Sequence, residues 1–147
     1  MIAVDTNILI YAHRTDSPFH AVAANKITGL AEGPAAWAIP WPCVHEFLAV
    51  VTSARVYDGP SEMTAAMDFV AELRQSPTLS LLAETDLHWD TLAGLIQAGR
   101  IAGGRVHDAR IAAICLQHGV RELWTADRDF NRFPELKAVN PLVASGR

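Results

Sequence analysis

The chain has 147 residues, half of them hydrophobic and 19% of them charged, and its formal net charge is −4. This length and composition predict one globular domain over residues 1–147 and exclude a disordered or fibrous protein. The acidic balance excludes a protein that holds nucleic acid through a uniformly basic surface. A reaction on a nucleic acid would therefore depend on a local binding site rather than on the overall charge of the protein.

The two cysteines and the apolar segments indicate which kinds of protein and which cell compartment to expect. Cys43 and Cys115 belong to no CxxC pair or Cys/His cluster, so we expect reduced core thiols rather than a zinc ribbon. No basic segment precedes the first apolar strand, and no apolar run approaches the ~18 residues of a membrane span. We therefore expect a cytoplasmic protein with neither a secretory signal nor a membrane contact.

The first half of the chain alternates strands and helices. Ser17 is the predicted cap of the longest helix there, and Pro18 occupies its first turn. The predicted elements are, in order, a strand at 2–4, a short helix at 7–12, a helix from 17 to about 31, a strand at 36–39 and a helix that begins at Pro42.

The second half continues the alternation. Ser61 and Asp86 are predicted helix caps, and Gly119 is a predicted helix end. The predicted elements are a helix at 61–73, a strand at 78–82, a helix from 86, a helix at 107–118, a strand at 122–125 and an edge strand at 138–142. Short apolar strands that alternate with helices predict an α/β fold with a mainly parallel sheet.

Two carboxylates follow predicted strands directly. Asp5 ends the first strand, and Asp127 follows the strand at 122–125. The carboxyl ends of parallel strands line the ligand crevice of such a sheet, so these two acids can face one pocket. Each acid alone is also explained as an ordinary turn residue.

Two further acids lie on predicted helices. Glu46 lies beside an apolar stripe, where it is either a solvated edge residue or a paired, inward-facing group. Asp108 lies in a first turn, where helix-dipole complementarity also explains it. Four crowded carboxylates repel one another unless a divalent cation offsets their charge, so the set predicts a Mg²⁺ or Mn²⁺ site for phosphodiester hydrolysis.

Four sequence blocks resemble the PIN-domain family, and more narrowly the VapC toxins of toxin–antitoxin pairs. They occur in family order: IAVDTNIL at 2–9, VHEF at 44–47, VHDARIAA at 106–113 and LWTADRDF at 123–130. The resemblance implies a three-layer α/β/α sandwich and Mg²⁺-dependent endonucleolytic cleavage of RNA, with Mn²⁺ as a substitute. It also implies a homodimer and neutralisation by a VapB-like antitoxin.

The resemblance assigns roles residue by residue. Asp5, Glu46 and Asp108 match metal-holding acids, and Asp127 matches the fourth acid, a role that Asp129 is placed to share. Two polar residues also match positions of the family. Thr125 matches a hydroxyl residue that helps to orient the attacking water, and Asn7 matches a polar residue that supports the first acid.

Several alternatives remain open from the sequence. A PIN nuclease of RNA processing without a toxin role, or an inactive PIN scaffold, would carry the same blocks. A receiver-like signalling domain also gathers acids at strand ends, but it requires an adjacent acid pair early, a phosphoacceptor Asp in mid-chain and a late lysine. This chain has Asp5-Thr6-Asn7 in place of the early pair, and its only lysines are Lys26 and Lys137. Three arginines near Asp108 are either solvated charges or phosphate clamps: Arg100, Arg105 and Arg110.

Overall fold

The computed structural model describes residues 1–143, in which five strands and six α-helices alternate. The strands are β1 (Ile2–Val4), β2 (Trp37–Pro40), β3 (Leu79–Leu82), β4 (Glu122–Trp124) and β5 (Lys137–Val139). The helices are α1 (Thr6–His13), α2 (His20–Glu32), α3 (Trp41–Val51), α4 (Met63–Leu73), α5 (His88–Gly99) and α6 (Val106–Gln117). Two short 3₁₀ helices cover Gly103–Arg105 and Arg128–Arg132.

The five strands form one parallel sheet in the order β3-β2-β1-β4-β5. The chain runs outward from β1 to β3 and then returns to the other side of β1 at β4. Parallel crossovers are right-handed, so this reversal places α1 to α4 on one face and α5 and α6 on the other. Packing of α1 against α2 and α3, and of α5 against α6, agrees with that division. The predicted α/β sandwich is confirmed.

The reversal of strand order lies between β1 and β4, and it fixes the position of the crevice. Val4 is in register with Trp124, and the backbone N–H of Asp5 donates to the carbonyl of Trp124 over 2.9 Å. The residues that follow the two strands, Asp5 and Thr125, are therefore neighbours. Ligands of open parallel sheets bind at such a switch point.

The core lies on both faces of the sheet. All four residues of β2 are buried, and Trp37, Phe47, Phe130 and Phe133 are among the largest side chains that are fully buried. Cys43 is also buried, as is Cys115, and both are free thiols, as expected.

Three predicted helix caps are wrong, and the two serines among them make other hydrogen bonds. Ser17 accepts from the backbone N–H of Phe19 (3.1 Å), and α2 begins only at His20. The hydroxyl of Ser61 lies 2.9 Å from His13, and α4 begins two residues later. The predicted cap Asp86 lies before Leu87, the residue that precedes α5.

The last strand is shorter than predicted. It covers Lys137–Val139 and, within residues 1–143, pairs only with β4, so its edge position is confirmed, while Pro141 lies beyond it. Gly119 has a φ of +75° after α6, which confirms a glycine-dependent helix end there.

None of the helices in residues 1–143 is long and apolar enough to cross a membrane.

Candidate active site

Asp5 is the most buried of the predicted site acids. Its side chain caps α1, since Oδ1 accepts the backbone N–H of Thr6 over 2.8 Å, and the residue is only 4% exposed. Burial raises the pKa of this carboxyl above its usual value, and the negative charge of Glu46 raises it further. A carboxylate held in this way is costly without a nearby positive charge.

Thr125 and Asn7 connect Asp5 to the end of β4. The Thr125 hydroxyl donates to Oδ2 of Asp5 over 2.7 Å and accepts from Nδ2 of Asn7 and from the backbone N–H of Asp127. Nδ2 of Asn7 also reaches Asp5 (3.3 Å), while its Oδ1 accepts the backbone N–H of Ala126 (3.0 Å). The network fixes the two strand ends relative to each other and confirms the predicted contact between Asn7 and the first acid.

Glu46 lies on the exposed side of α3 at the rim of the crevice, so it is not an inward-facing core residue. Its Oε2 accepts a hydrogen bond of 3.0 Å from the hydroxyl of Thr6, which follows Asp5. This bond links α3 to the start of α1 and orients the Glu46 carboxylate toward the other acids.

The remaining acids form a compact carboxylate group. Asp108, Asp127 and Asp129 each offer an oxygen, and these oxygens all lie within 4.8 Å of one another. Asp108 comes from the first turn of α6, whereas the other two come from the turn after β4. Oδ1 of Asp127 accepts the backbone N–H of Asp129 (2.8 Å), which holds that turn closed.

The electrostatics of this group favour a bound cation. The pKa of Asp108 is raised to about 6, first by desolvation and then by the negative charges of Asp127, Asp5, Asp129 and Glu46. The other four acids are therefore all within electrostatic reach of Asp108. Hard carboxylate oxygens in this arrangement fit Mg²⁺ or Mn²⁺, which would neutralise the repulsion.

The hydrogen bonds of Asp5 show how much of its carboxylate remains for a cation. Besides the donors Thr6, Thr125 and Asn7, the thiol of Cys43 donates to Oδ1 over 3.6 Å. A carboxylate has about four lone-pair sites, so direct coordination by Asp5 requires one of the two longer bonds to yield. Asp108, Asp127 and Asp129 carry fewer such bonds.

A cleft opens beside the acids between α3 and the start of α6. It has a volume of about 510 Å³, and its lining includes Glu46, Asp108, His45 and His107. Arg110 lies at its edge but binds Glu84 through contacts of 2.6 Å. Arg105 lies nearest to the carboxylates, 3.7 Å from Asp129. Of the three arginines near Asp108, only Arg105 contacts a site acid.

Two supporting residues were absent from the sequence predictions. Thr6 orients Glu46, and Cys43 donates to Asp5. Adjacency to Asp5 was an available signal for Thr6. No sequence signal distinguishes Cys43 from an ordinary buried thiol, because its partner is 38 residues away.

The family model of the PIN domain matches residues 2–136. The chain belongs to the PIN-domain family. The family membership predicted from the four sequence blocks is thus confirmed.

Curated PIN-domain relatives span the same length. The chain is 32% identical over 142 residues to the ribonuclease VapC43 of Mycobacterium tuberculosis, and the alignment covers 97% of this chain and 96% of that relative. It is also 32% identical to the ribonuclease VapC33 of the same organism, and that alignment covers 97% of this chain and 99% of VapC33. Within the PIN-domain family, the chain thus groups with the VapC ribonucleases.

Solved structures share the PIN fold at lower identity. A structure of FitAB bound to the IR36 DNA fragment superposes with a TM-score of 0.71 at 18% identity and covers 99% of both chains. VapBC2 from Rickettsia felis, bound to a promoter DNA fragment, gives a TM-score of 0.63 at 21% identity and covers 95% of this chain and 98% of that one.

Proposed function

We propose that this PIN-domain protein is a Mg²⁺- or Mn²⁺-dependent endoribonuclease. One observation carries the proposal: carboxylates from β1, α3, α6 and the turn after β4 converge at the sheet's switch point. The relatives at 32% identity are named ribonucleases, which supports RNA as the substrate. The acids proposed to hold the cation are Asp5, Glu46, Asp108 and Asp127, with Asp129 beside them.

The cation would supply an activated water and charge stabilisation at the scissile phosphate. The protein's own residues supply positioning. Thr125 and Asn7 hold the Asp5 carboxylate, Thr6 holds Glu46, and Arg105 provides a positive charge beside Asp129. In-line attack would leave a 5′-phosphate and a 3′-hydroxyl.

The hydrogen bonds of Thr125 bear on its proposed role. Its only hydroxyl proton is donated to Asp5, and the residue is 3% exposed. These observations support a positioning role, through the orientation of Asp5. Orientation of the attacking water, the role implied by the family, stays a prediction.

We also propose a toxin role, with a VapB-like antitoxin as the neutralising partner. The structural neighbours include complexes named VapBC2 from Rickettsia felis and VapBC-1 from nontypeable Haemophilus influenzae. A homodimer and a cytoplasmic location are part of the proposal, and the two free, buried thiols are consistent with a reducing compartment.

The test is cleavage of total cellular RNA by the purified protein, with the new ends mapped by sequencing. We expect discrete cuts in Mg²⁺ or Mn²⁺ that disappear with EDTA and in Asp5→Asn. Asp68→Asn, which removes an exposed acid on α4, is the matched control and should cut normally. Cuts that persist in EDTA would contradict the metal-dependent mechanism.

A second experiment tests the toxin role. Expression of the wild-type chain should arrest growth, and co-expression of an antitoxin encoded beside it should restore growth. Cleavage without growth arrest would instead favour an RNA-processing nuclease.

A further inference from the structure

A second, smaller cavity adjoins Asp127 and is separate from the α3–α6 cleft. It has a volume of about 200 Å³ and shares no lining residue with that cleft. Asp127 lines the smaller cavity and Asp108 lines the larger one, and their carboxylate oxygens lie within 4.8 Å of each other. An RNA strand whose phosphate sits at the acids would therefore place a neighbouring nucleotide at the smaller cavity.

The size of this cavity suits one planar group. Sites for drug-sized ligands run to about 300–1,000 Å³, so about 200 Å³ fits a single base rather than two stacked ones. Single-stranded RNA is recognised when a base is unstacked and hydrogen-bonded on its edges.

The polar lining of the cavity is rich in donors. Arg128 and Asn131 come from the 3₁₀ helix after Asp127, and Asn140 comes from the end of β5. Within residues 1–143, Arg128 makes no ion pair, so its guanidinium can donate to a ligand.

The amide of Asn140 has a fixed orientation. Its Oδ1 accepts the backbone N–H of Leu142 over 3.0 Å, so Nδ2 carries the two hydrogens that remain for a ligand. An asparagine usually pairs with adenine through both its oxygen and its nitrogen. Because the oxygen of Asn140 already accepts one hydrogen bond and its NH₂ group donates none within residues 1–143, the free capacity of this amide lies mainly in its donors. Donors favour a base edge made of acceptors.

We infer that this cavity, formed by Arg128, Asn131 and Asn140 beside Asp127, binds the base next to the scissile phosphate and selects guanine. Guanine presents two adjacent acceptors, O6 and N7, whereas adenine and cytosine present an amino donor. This inference rests on the proposed ribonuclease function and adds to it a base preference at one position.

The experiment uses single-stranded RNAs that differ only in the bases on either side of a mapped cut. At one of these positions, the wild-type protein should cleave the RNA with guanine about tenfold faster than the RNA with adenine. Asn140→Asp keeps an oxygen for the Leu142 N–H and replaces the donors with acceptors. It should reverse the preference toward adenine or cytosine.

Arg128→Ala should reduce the difference in cleavage rate between the guanine and adenine RNAs. The matched control is Arg74→Ala, at the exposed end of α4, which should keep the wild-type base preference. Thermal unfolding verifies that each variant is folded. A folded Asn140→Asp variant with the wild-type base profile would overturn the inference while leaving the ribonuclease function intact. No cleavage of any RNA by the wild-type protein would instead overturn the proposed function.

Discussion

The hydroxyl of Thr125, at the end of β4, donates a 2.7 Å hydrogen bond to the carboxylate of Asp5, at the end of β1. The two residues are 120 positions apart in the chain, and the parallel pairing of their strands brings them together. This bond fixes the orientation of a carboxylate that is 4% exposed.

Removal of that hydroxyl should impair both stability and activity. Thr125→Val leaves Asp5, Asn7 and the backbone N–H of Asp127 without a shared partner. Asp5 and Asn7 keep other hydrogen bonds, so the loss should be close to the cost of one buried group without a partner. We expect a decrease of about 2 kcal/mol in the free energy of unfolding measured with urea. RNA cleavage should fall about tenfold or more. Thr125→Ser should restore both, and a fully active Thr125→Val would refute the positioning role.

Asp108 should destabilise the metal-free protein at neutral pH. Its pKa is raised from 3.8 to about 6 in the folded state, chiefly by desolvation. Between pH 3.8 and about pH 6, Asp108 binds more protons in the folded state than in the unfolded state. The free energy of unfolding therefore falls as the pH rises through this range. Thermal unfolding in EDTA should show the decline.

Asp108→Asn should therefore stabilise the metal-free protein at pH 7. Because Asp108 is partly exposed, we discount the effect to about 1 kcal/mol, or about 3 °C in Tm. The same variant should lose the rise in Tm that Mg²⁺ gives the wild-type protein. An Asp108→Asn variant less stable than wild type in EDTA would show that charge repulsion at this site is unimportant.

The fourth acid should be mainly Asp127. Asp129 lies 3.7 Å from Arg105, which offsets part of its charge, whereas Asp127 pairs with no arginine within residues 1–143. We expect Asp127→Asn to lower cleavage at saturating Mg²⁺ about tenfold more than Asp129→Asn. Single-turnover cleavage of one RNA by the two variants measures the ratio, and the reverse order would assign the role to Asp129.

Thr6 should affect metal affinity through Glu46. Thr6→Val removes the 3.0 Å bond that orients Glu46 but keeps the backbone N–H that Asp5 accepts. We expect the Mg²⁺ concentration for half-maximal cleavage to rise several-fold, by analogy with groups that orient metal ligands. Thr6→Ser should behave as wild type. An unchanged Mg²⁺ dependence in Thr6→Val would show that Glu46 needs no such support.

The sequence predicts the parts of the site that depend on strand order. Asp5 and Asp127 follow strands, and the rule that parallel strands end at one edge places them together. Asp108 and Glu46 come from helices on opposite faces of the sheet. Their approach depends on tertiary packing. The chemistry of four acids suggested a metal site, but their individual roles came from the family resemblance.

The hydrogen-bond partners were harder to predict. The bond from Thr6 to Glu46 spans 40 residues and that from Cys43 to Asp5 spans 38, so no local pattern reveals either. Helix starts were also missed at Ser17 and Ser61. The Ser17 hydroxyl accepts a backbone N–H within a local turn, whereas the Ser61 hydroxyl contacts His13 of α1. The helices begin three and two residues later, respectively.

In the proposed mechanism, the carboxylates hold a divalent cation on which RNA cleavage depends. The most direct measurement is the cleavage rate of one mapped RNA as a function of Mg²⁺ concentration, for the wild-type protein and Asp108→Asn. We predict a saturable rise for the wild type, no cleavage in EDTA and a rate at least about 100-fold lower for the folded variant. A wild-type rate that is independent of Mg²⁺, or a variant as fast as wild type, would show that cleavage does not depend on a cation held by these acids.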